Sequence, residues 1–417
     1  MRDVYVIGAY STQFKKWPEK SHKDLTRDAY LGVLADAGMP NGDAIQFAWF
    51  GNCGMAAWGQ PNIRGQVCFI PLVREGLFPE RVPMINVEGA CATASMAFHG
   101  AWKDIRSGES ELSLAIGVEK LFRPDATPEE VLRGFRAGMD NFDPEPAFET
   151  CRRAAALCGR PFDPQADRTI FMDMYAMQAA YHMWKYGTTQ RQIAVACSKN
   201  HYYGSLNPKA QYRFEVPVDQ VLADRMVSEP LTRSMCAPIG DGAAAAILCS
   251  EDFLRNMPAP VRNRAVKVKA TVFTGGKYRE FDEPGLSRIA ADRAYQAAGV
   301  GPGDIDVAEV HDATSFCELY QSEMLRFCGE GEGGKFAESG ATMLGGRIPV
   351  NTSGGLVSKG HPVGATGLSM VYELVTQLRG EAGPRQVKDA EFALQQNGGG
   401  SLGFEEAACS VIILQKT

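Results

Sequence analysis

A histidine in the C-terminal part of the chain stands inside a run of glycines and other small residues. It is His361, within Gly360–Gly367 (GHPVGATG), near the end of the longer small-residue stretch Asn351–Gly367. Glycines allow the backbone to approach a ligand closely and to adopt conformations closed to other residues. A histidine held in such a turn can accept and donate protons near neutral pH. The stretch therefore predicts acid–base chemistry at His361.

Cys91 is the candidate nucleophile. It follows a strand-like segment at 82–87 and a short turn, and it opens the predicted helix Cys91–Arg106. A thiol at a helix N-terminus feels the positive end of the helix dipole, which predicts a lowered pKa for Cys91. Thiolate attack on a thioester exchanges one thioester for another, so the context favours acyl transfer. Taken alone, a cysteine in an alanine-rich segment is most often a packed core residue.

Two further segments offer hydrogen-bond donors. His311 ends the strand-like run Ile305–Val310, where α/β folds present ligand-contacting residues, and could donate to a thioester oxygen. The alternative for His311 is a structural histidine paired with Asp312. Near the C-terminus, consecutive glycines expose backbone N–H groups that can hold an oxyanion. The candidates in that loop are Asn397, Gly399 and Gly400.

The chain repeats itself once. Leu25–Gly38 reappears as Leu286–Gly299, and Cys91–Arg106 is paralleled by Gly364–Arg379. Two ordered matches at nearly equal offsets indicate two copies of one α/β unit, and chance similarity of short alanine-rich helices is the alternative. A pseudo-twofold relation between the copies would bring together the loops that start the second pair of helices. The candidate base would then meet the candidate nucleophile.

A long central segment matches neither copy. It includes the helical pattern Phe171–Tyr186, and an insertion of this length usually carries a lid or a ligand-binding surface. Its basic residues could meet phosphate groups, although a charge run is more often a solvated face. These residues are Lys185, Lys199, Lys209 and Arg213. The predicted division is an N-terminal half of residues 1–120 and 236–250, an inserted loop domain of residues 121–235, and a C-terminal half of residues 251–417.

Composition excludes several classes of protein. The chain has 417 residues, of which 45% are hydrophobic and 22% charged, with a formal net charge of -6. This predicts a globular protein with more than one core-forming unit and gives no reason to expect nucleic acid binding. No apolar run approaches the roughly 20 residues that span a bilayer. Eleven cysteines without CxxC pairs argue against a disulfide scaffold and a structural zinc site, and they favour a cytoplasmic location.

Together these residues resemble the thiolase superfamily over essentially the whole chain. The resemblance rests on Cys91 in its Ala-Cys-Ala-Thr context, the His311-Asp-Ala segment and Gly360–Gly367, and it is strongest to the sterol-carrier-protein-type and archaeal acetyl-CoA acetyltransferase-like thiolases. It implies an α/β thiolase fold, with two duplicated halves in a five-layer αβαβα sandwich and an inserted loop domain. It also implies a homodimer or a dimer of dimers.

The resemblance implies a CoA-dependent acyltransferase that cleaves or forms a 3-oxoacyl-CoA. Coenzyme A and acyl-CoA are then substrates, and no permanently bound cofactor or metal is expected. Carried over residue by residue, Cys91 is acylated and His361 activates it. His311 with His361 forms one oxyanion hole, and the backbone N–H of Cys91 with that of a glycine near Gly399 forms the other.

The sequence departs from the thiolase pattern at one place. Thiolases usually present a second cysteine that handles the α-proton of the attacking acyl-CoA, either in the glycine-rich loop or after a His-Asp pair. Here the loop at 395–400 reads QQNGGG and the other position is Ala313. Cys317, one helical turn further on, is a poor substitute. Enolate formation therefore needs another base, or the enzyme works mainly in thiolytic cleavage of a substrate that eases proton transfer.

This departure leaves alternatives open. The pattern is similar to thiolases that work with a small zinc-ribbon, oligonucleotide-fold partner subunit, one of which acts on the aromatic substrate benzoylsuccinyl-CoA. A non-catalytic acyl-CoA-binding subunit is the rival from another class. A ketosynthase-like condensing activity is a weaker alternative, because those enzymes use a different pair of histidine motifs.

Overall fold

The structure is a computed structural model that describes residues 2–417, except for the side chains of residues 128, 133 and 134. Its strands are β1 (Val4–Ser11), β2 (Phe47–Gly51), β3 (Met84–Val87), β4 (Leu112–Glu119), β5 (Met226–Ser228), β6 (Leu231–Thr232), β7 (Gly242–Ser250), β8 (Val266–Gly275), β9 (Val307–Val310), β10 (Phe392–Gly399) and β11 (Ala408–Lys416). Its α-helices are α1 (His22–Asp36), α2 (Arg64–Arg74), α3 (Thr93–Ser107), α4 (Pro128–Phe135), α5 (Glu145–Cys158), α6 (Ile170–Tyr186), α7 (Gln190–Leu206), α8 (Val218–Ala223), α9 (Glu251–Arg255), α10 (Ala259–Arg262), α11 (Leu286–Ala298), α12 (Ser315–Met324), α13 (Gly333–Glu338), α14 (Gly355–Lys359) and α15 (Thr366–Leu378).

The nine long strands form one sheet made of two equivalent halves. Their order is β3-β2-β4-β7-β1-β8-β11-β10-β9. The two halves meet at β1 and β8, which pair only at Tyr5 with Lys267 and at Val6 with Val266. From this junction outward, β1-β7-β4-β2 in the first half corresponds to β8-β11-β10-β9 in the second, with the same parallel and antiparallel pairings. The duplication predicted from the sequence is therefore confirmed.

Helices α3 and α15 form the middle layer. Their apolar faces pack with the inward faces of both half-sheets in one buried cluster, which includes Phe98 and Ile105 of α3 and Leu368 and Leu374 of α15. Helices α1 and α2 cover the outer face of the first half-sheet. Helix α11 covers the outer face of the second. The layers run helix, sheet, helix, sheet, helix, which confirms the predicted five-layer sandwich.

Between β4 and β7 the chain forms α4 to α8 and the small β5–β6 sheet. Two apolar clusters in this region also contain residues from outside it. One includes Phe316 and Leu319 of α12, and the other includes Phe404. The helical pattern at 171–186 corresponds to α6. The assignment of residues 121–235 as a separate domain stays a prediction.

Two local expectations differ from the structure. The helix predicted to open at Cys91 begins at Thr93, and Cys91 lies in a 3₁₀ turn, Ala90–Ala92, ahead of it. Gly398 and Gly399 were expected in a turn, but they are the last residues of β10, paired with Cys409 and Ala408. Within residues 2–417, no helix combines the length and the apolar character needed to cross a membrane.

Candidate active site

A tight turn between β3 and α3 presents Cys91. Ala90 has a φ of 48°, in the left-handed region that non-glycine residues rarely occupy. The Thr93 hydroxyl holds this turn, because it accepts from the backbone N–H of Gly89 at 2.9 Å and donates to the carbonyl of Ala90 at 2.6 Å. The strain is concentrated directly beside Cys91. The turn places its sulfur at the end of the sheet and ahead of the middle helix.

The loop that carries His361 lies against the ends of β2 and β4. A Cβ atom on Gly117 would lie 2.2 Å from the carbonyl oxygen of Gly364, so only glycine permits this approach. The N–H of Gly364 donates to Oε2 of Glu119 at 3.2 Å. Gly360, with a φ of 105°, turns the chain into the loop. The first half of the fold thus fixes the loop of the second half.

His361 and Cys91 are in hydrogen-bond contact. Nε2 of His361 lies 3.1 Å from Sγ of Cys91, and Nδ1 lies 2.8 Å from Oγ1 of Thr366. The Thr366 hydroxyl donates a hydrogen bond to the carbonyl oxygen of Pro362 at 3.0 Å. It therefore accepts the hydrogen bond from Nδ1–H of His361. This leaves the lone pair of Nε2 facing the thiol. His361 is therefore set to receive the proton of Cys91.

Burial decides the charge state of this pair. Burial, together with His311 and Lys359, holds the pKa of His361 well below its usual value. Burial also raises the pKa of Cys91 to about 12, although the backbone N–H groups of Cys91 and Gly400 lower it. The lowered thiol pKa expected from the helix dipole is wrong for the unliganded protein, because desolvation outweighs it. The resting pair is a neutral thiol and a neutral imidazole.

His311 lies at the end of β9 with a ring nitrogen open to the site. Its ring centroid lies 5.1 Å from that of His361, and one ring nitrogen of each histidine and Sγ of Cys91 all lie within 4.8 Å of one another. Its own backbone N–H donates to Oε1 of Gln396 at 3.0 Å. Burial lowers the pKa of His311 to about 4, and no described residue forms a hydrogen bond with Nε2. His311 can therefore donate one hydrogen bond to a ligand.

Asp312 does not pair with His311. Its carboxylate accepts from the backbone N–H of Leu356 at 2.6 Å and from Nδ2 of Asn200 at 2.9 Å. The structural alternative for His311, a pairing with Asp312, is therefore wrong. Lys199, one of the candidate phosphate ligands, is also occupied: it is buried and its Nζ lies 2.7 Å from Oε1 of Glu318.

Of the three candidates at the end of β10, Gly399 and Gly400 lie against the Cys91 turn, whereas the Asn397 side chain is engaged elsewhere. A Cβ atom on Gly399 would lie 2.9 Å from the backbone nitrogen of Cys91, so this position brings the strand against the turn. The backbone N–H of Gly400 is directed at Sγ of Cys91, as is that of Cys91 itself. The amide of Asn397 is used elsewhere, because Oδ1 accepts from Ser95 at 2.8 Å and Nδ2 donates to Gly398. Gly400 and Cys91 thus offer the pair of N–H groups an oxyanion requires.

Glu119 is a buried carboxyl group that the sequence analysis missed. It accepts from the backbone N–H groups of Cys53 and Gly54 at 3.1 and 3.0 Å, and it also holds Gly364. Burial raises its pKa to about 7 in spite of these donors. Glu119 thereby ties the loop after β2 to the His361 loop. The available signal was an acidic residue at the carboxyl end of an otherwise apolar strand.

Cys91, His311 and His361 are also the one cluster of three potential metal ligands in the part of the chain that the structure describes. Thiolate and imidazole are ligands that zinc accepts. In this structure, however, the Cys91 thiol and Nε2 of His361 already satisfy each other. A thiol and a neutral imidazole in this contact can act as a nucleophile and a general base.

Comparison with known proteins agrees with this geometry. The family model "Thiolase, N-terminal domain" matches residues 4–144, and "Thiolase C-terminal domain-like" matches residues 284–415. The chain is 38% identical to acetyl-CoA acetyltransferase of Methanothermobacter thermautotrophicus, covering 97% of this chain and 98% of that protein. It is 35% identical to sterol carrier protein 2 of Oryctolagus cuniculus, covering 98% of this chain and 73% of that protein.

A third relative is the benzoylsuccinyl-CoA thiolase subunit BbsB of Thauera aromatica, at 29% identity over 93% of this chain and 92% of that protein. Among solved structures, the Ltp2-ChsH2(DUF35) aldolase superposes with a TM-score of 0.76 at 20% identity, covering 99% of this chain and 98% of that chain. Human mitochondrial 3-ketoacyl-CoA thiolase in complex with CoA superposes with a TM-score of 0.68 at 16% identity, covering 100% and 98%. These two structural similarities show the fold alone.

The first prediction concerns the tautomer of His361. Thr366→Val removes the acceptor for Nδ1–H, so the imidazole loses the bond that keeps Nε2 unprotonated. We expect alkylation of Cys91 by iodoacetamide to slow by roughly 10- to 100-fold, the usual range for a lost orienting partner. Peptide mapping by mass spectrometry measures the rate at Cys91 alone. Thr366→Ser keeps the hydroxyl and should restore the rate; a serine variant as slow as the valine variant would contradict this role.

The second prediction concerns the pH dependence of the thiol. With a pKa of about 12, the Cys91 thiol is protonated at neutral pH, and its thiolate fraction grows as pH rises toward that value. Alkylation of Cys91 should therefore keep accelerating from about pH 7 to about pH 10. Free cysteine, with a pKa of about 8.5, is the control and should level off within that range. A rate at Cys91 that levels off together with that of free cysteine would contradict this raised pKa.

Proposed function

Because the chain belongs to the thiolase family, we propose that it cleaves or forms the carbon–carbon bond of a 3-oxoacyl-CoA through an acyl thioester on Cys91. The observation that carries this proposal is the 3.1 Å contact between Sγ of Cys91 and Nε2 of His361. A pure acyl-CoA-binding subunit has no need of a nucleophile and base in hydrogen-bond contact. The proposed activity needs both.

In the cleavage direction, the thiol proton of Cys91 moves to Nε2 of His361 as Sγ attacks the 3-oxo carbon. Attack coupled to proton transfer avoids forming a buried thiolate in advance, which desolvation opposes. The oxyanion of the tetrahedral intermediate would accept from the N–H groups of Cys91 and Gly400. The carbon–carbon bond then breaks, and the shorter acyl-CoA departs as an enolate whose thioester oxygen accepts from His311.

The second half of the cycle regenerates Cys91. The enolate takes up a proton, and CoA enters and attacks the acyl thioester after losing its thiol proton. Sγ leaves and recovers its proton from His361, so atoms and charge balance over the cycle. Coenzyme A and acyl-CoA act as substrates, and the proposal assigns no bound cofactor. The missing second cysteine leaves the enolate proton without its usual donor.

A second candidate differs in the acyl group. Aromatic side chains line a cavity of about 120 Å³ beside α6, with Arg279 in its wall. The rings are those of Tyr181, Tyr186, Phe281, Phe316, Tyr320 and Phe404. Stacked or edge-on contacts with these rings would favour a planar aromatic group, although Cys91, His311 and His361 are not among the residues that line this cavity. The benzoylsuccinyl-CoA thiolase subunit is a relative whose name carries such a substrate.

The proposed function is tested by incubating the protein with acetyl-CoA or benzoyl-CoA and measuring the intact mass. An acyl adduct should form on the wild type and be absent from Cys91→Ala. Preference for benzoyl-CoA that is lost in Phe404→Ala would favour the aromatic substrate, and preference for acetyl-CoA would favour the short-chain one. If no adduct forms with either donor, alone or with a small partner subunit added, the non-catalytic alternative replaces the proposal.

We also propose a homodimer through the edge strand β3. At the other end of the sheet, backbone bonds from residues 349 and 351 cover β9 at Ala308. Among residues 2–417 no backbone covers the outer edge of β3, and Ile85 there is 40% exposed. Ile63 and Ile70, on the adjoining α2 and its start, are also exposed. An edge strand without a backbone partner on its outer side, flanked by exposed isoleucines, is suited to pairing with a second copy.

Ile85→Lys should convert the dimer to a monomer, because it places a charge at the proposed interface. Size-exclusion chromatography with light scattering measures the mass. Ile289→Lys, a similarly exposed isoleucine on α11, is the matched control and should leave the dimer intact. A monomeric wild type, or a dimer that both variants preserve, would refute β3 as the interface.

A small zinc-ribbon, oligonucleotide-fold subunit remains the proposed additional partner. Its support is the similarity to BbsB, which is named as a subunit, and the fold likeness to the Ltp2-ChsH2(DUF35) aldolase. A dimer of dimers and the cytoplasmic location stay predictions from the sequence.

A further inference from the structure

The proposed cycle needs a group that exchanges a proton with the α-carbon of the departing or attacking acyl-CoA. Neither Ala313 nor the loop at 395–400 supplies a cysteine for this step. Three ionisable side chains from other elements stand near that gap: Tyr175, Cys317 and Glu406. Their surroundings differ enough to choose between them.

The first turns of α6 lie over the end of β10. Sδ of Met174 is 3.8 Å from Oγ of Ser401, whose backbone N–H donates to the carbonyl of Gly138 at 2.9 Å. Ser401 directly follows Gly400, whose N–H is directed at Sγ of Cys91. A Cβ atom on Gly138 would lie 2.8 Å from Cζ of Phe171 and 3.9 Å from Cβ of Ala90, so Phe171 lies beside the Cys91 turn. Tyr175, four residues after Phe171, is on the same face of α6 and is therefore directed toward the same region.

The Tyr175 hydroxyl is available for a ligand. The ring packs, half-buried, on the cluster that contains Phe316. The hydroxyl lies close enough to Cys91, Cys317 and Glu406 that their charges, after burial, raise the pKa of Tyr175 well above its usual value. No residue in the described part of the chain forms a hydrogen bond with it. The phenol therefore keeps its own proton uncommitted and available to a ligand.

The other two groups are already engaged. Sγ of Cys317 lies 3.4 Å from the Thr314 hydroxyl, and burial raises its pKa to about 12. Oε1 of Glu406 accepts from Ser287 at 3.2 Å and from Nε2 of Gln321 at 3.0 Å. Of the three, Tyr175 alone has no hydrogen-bond partner in the described part of the chain.

We propose that the hydroxyl of Tyr175 is the catalytic acid and base at the α-carbon, in place of the absent second cysteine. This inference rests on the proposed function of the same site. In cleavage, Tyr175 gives its proton to the α-carbon of the departing enolate and becomes a phenolate. The phenolate then takes the thiol proton of the incoming CoA, which restores the phenol and produces the thiolate that attacks the acyl group on Cys91. No other reactant is required.

The direction of the proton transfer agrees with the surroundings. Burial keeps Tyr175 protonated at neutral pH, so the resting residue is a donor, as cleavage demands. An enolate is far more basic than a phenolate, so the transfer is downhill. Condensation requires the reverse transfer from the α-carbon, so its rate should depend at least as strongly on Tyr175.

Solvent exchange isolates this step from acyl transfer. In D₂O the wild type should catalyse deuterium incorporation at the α-carbon of acetyl-CoA and of propionyl-CoA, measured by NMR. Tyr175→Phe should lower the exchange rate by roughly 100-fold or more, the usual contribution of a general acid–base group, with Cys91 still becoming acylated. Tyr202→Phe, the same change at an exposed tyrosine of α7, is the matched control and should have no effect.

The remaining variants separate the alternatives. Cys91→Ala should lose the acyl adduct and the exchange together, because the phenolate forms only when the CoA released by acyl transfer takes the proton of Tyr175, whereas Tyr175→Phe should lose the exchange alone. Exchange that survives in Tyr175→Phe but is lost in Glu406→Gln or Cys317→Ala would overturn the proposal. A wild type that forms the adduct without any exchange would also overturn it, while leaving the proposed function standing. A wild type with neither adduct nor exchange would refute both.

Discussion

The packing of α3 against α15 is the constraint on which the rest of the structure depends. Cys91 lies two residues before α3 and His361 five residues before α15, so the two helices carry the two reactive loops to the same place. Their apolar faces share one buried cluster with both half-sheets, and truncating a buried leucine there to alanine would lower the free energy of unfolding by about 2–5 kcal/mol. Two glycines allow the final approach: Gly117 admits the His361 loop, and Gly399 admits the Cys91 turn. The 3.1 Å contact between Cys91 and His361 follows from this packing.

The burial of Cys91 and His361 affects their charge states. Removing Cys91 and His361 from water disfavours both of their charged forms, so the resting site contains no thiolate and no imidazolium. A pair of this kind reacts when a substrate arrives, because attack and proton transfer then occur together and the new negative charge moves to an oxygen that N–H groups can hold. Thr366 contributes by fixing which nitrogen of His361 is free. The neutral pair also limits side reactions of the thiol while the site is empty.

The two halves of the fold and the region between β4 and β7 supply different parts of the chemistry. The duplicated halves contain the proposed nucleophile, base and N–H groups, which are parts of acyl transfer that do not depend on the acyl group. Helix α6, from the intervening region, provides Tyr175 and part of the ring-lined cavity. In the proposed function, the α-proton is thereby handled by an element outside the duplicated halves. The proposed roles would allow acyl transfer without the usual second cysteine.

The sequence by itself determined the duplication, the layered architecture and the identity of Cys91, His311 and His361 as the residues to examine. These follow from local patterns: helix periodicity, buried strand runs and glycines around a reactive side chain. Tertiary structure decided what depends on distance and enclosure. The thiol pKa of Cys91 is raised rather than lowered because desolvation is a property of the packed site, which a helix position cannot reveal. Glu119 holds Gly364, a residue distant in sequence, and Thr366 orients His361 through the rotamer of its side chain. The proposed role of Tyr175 likewise depends on residues distant in sequence. No spacing in a single sequence encodes such contacts.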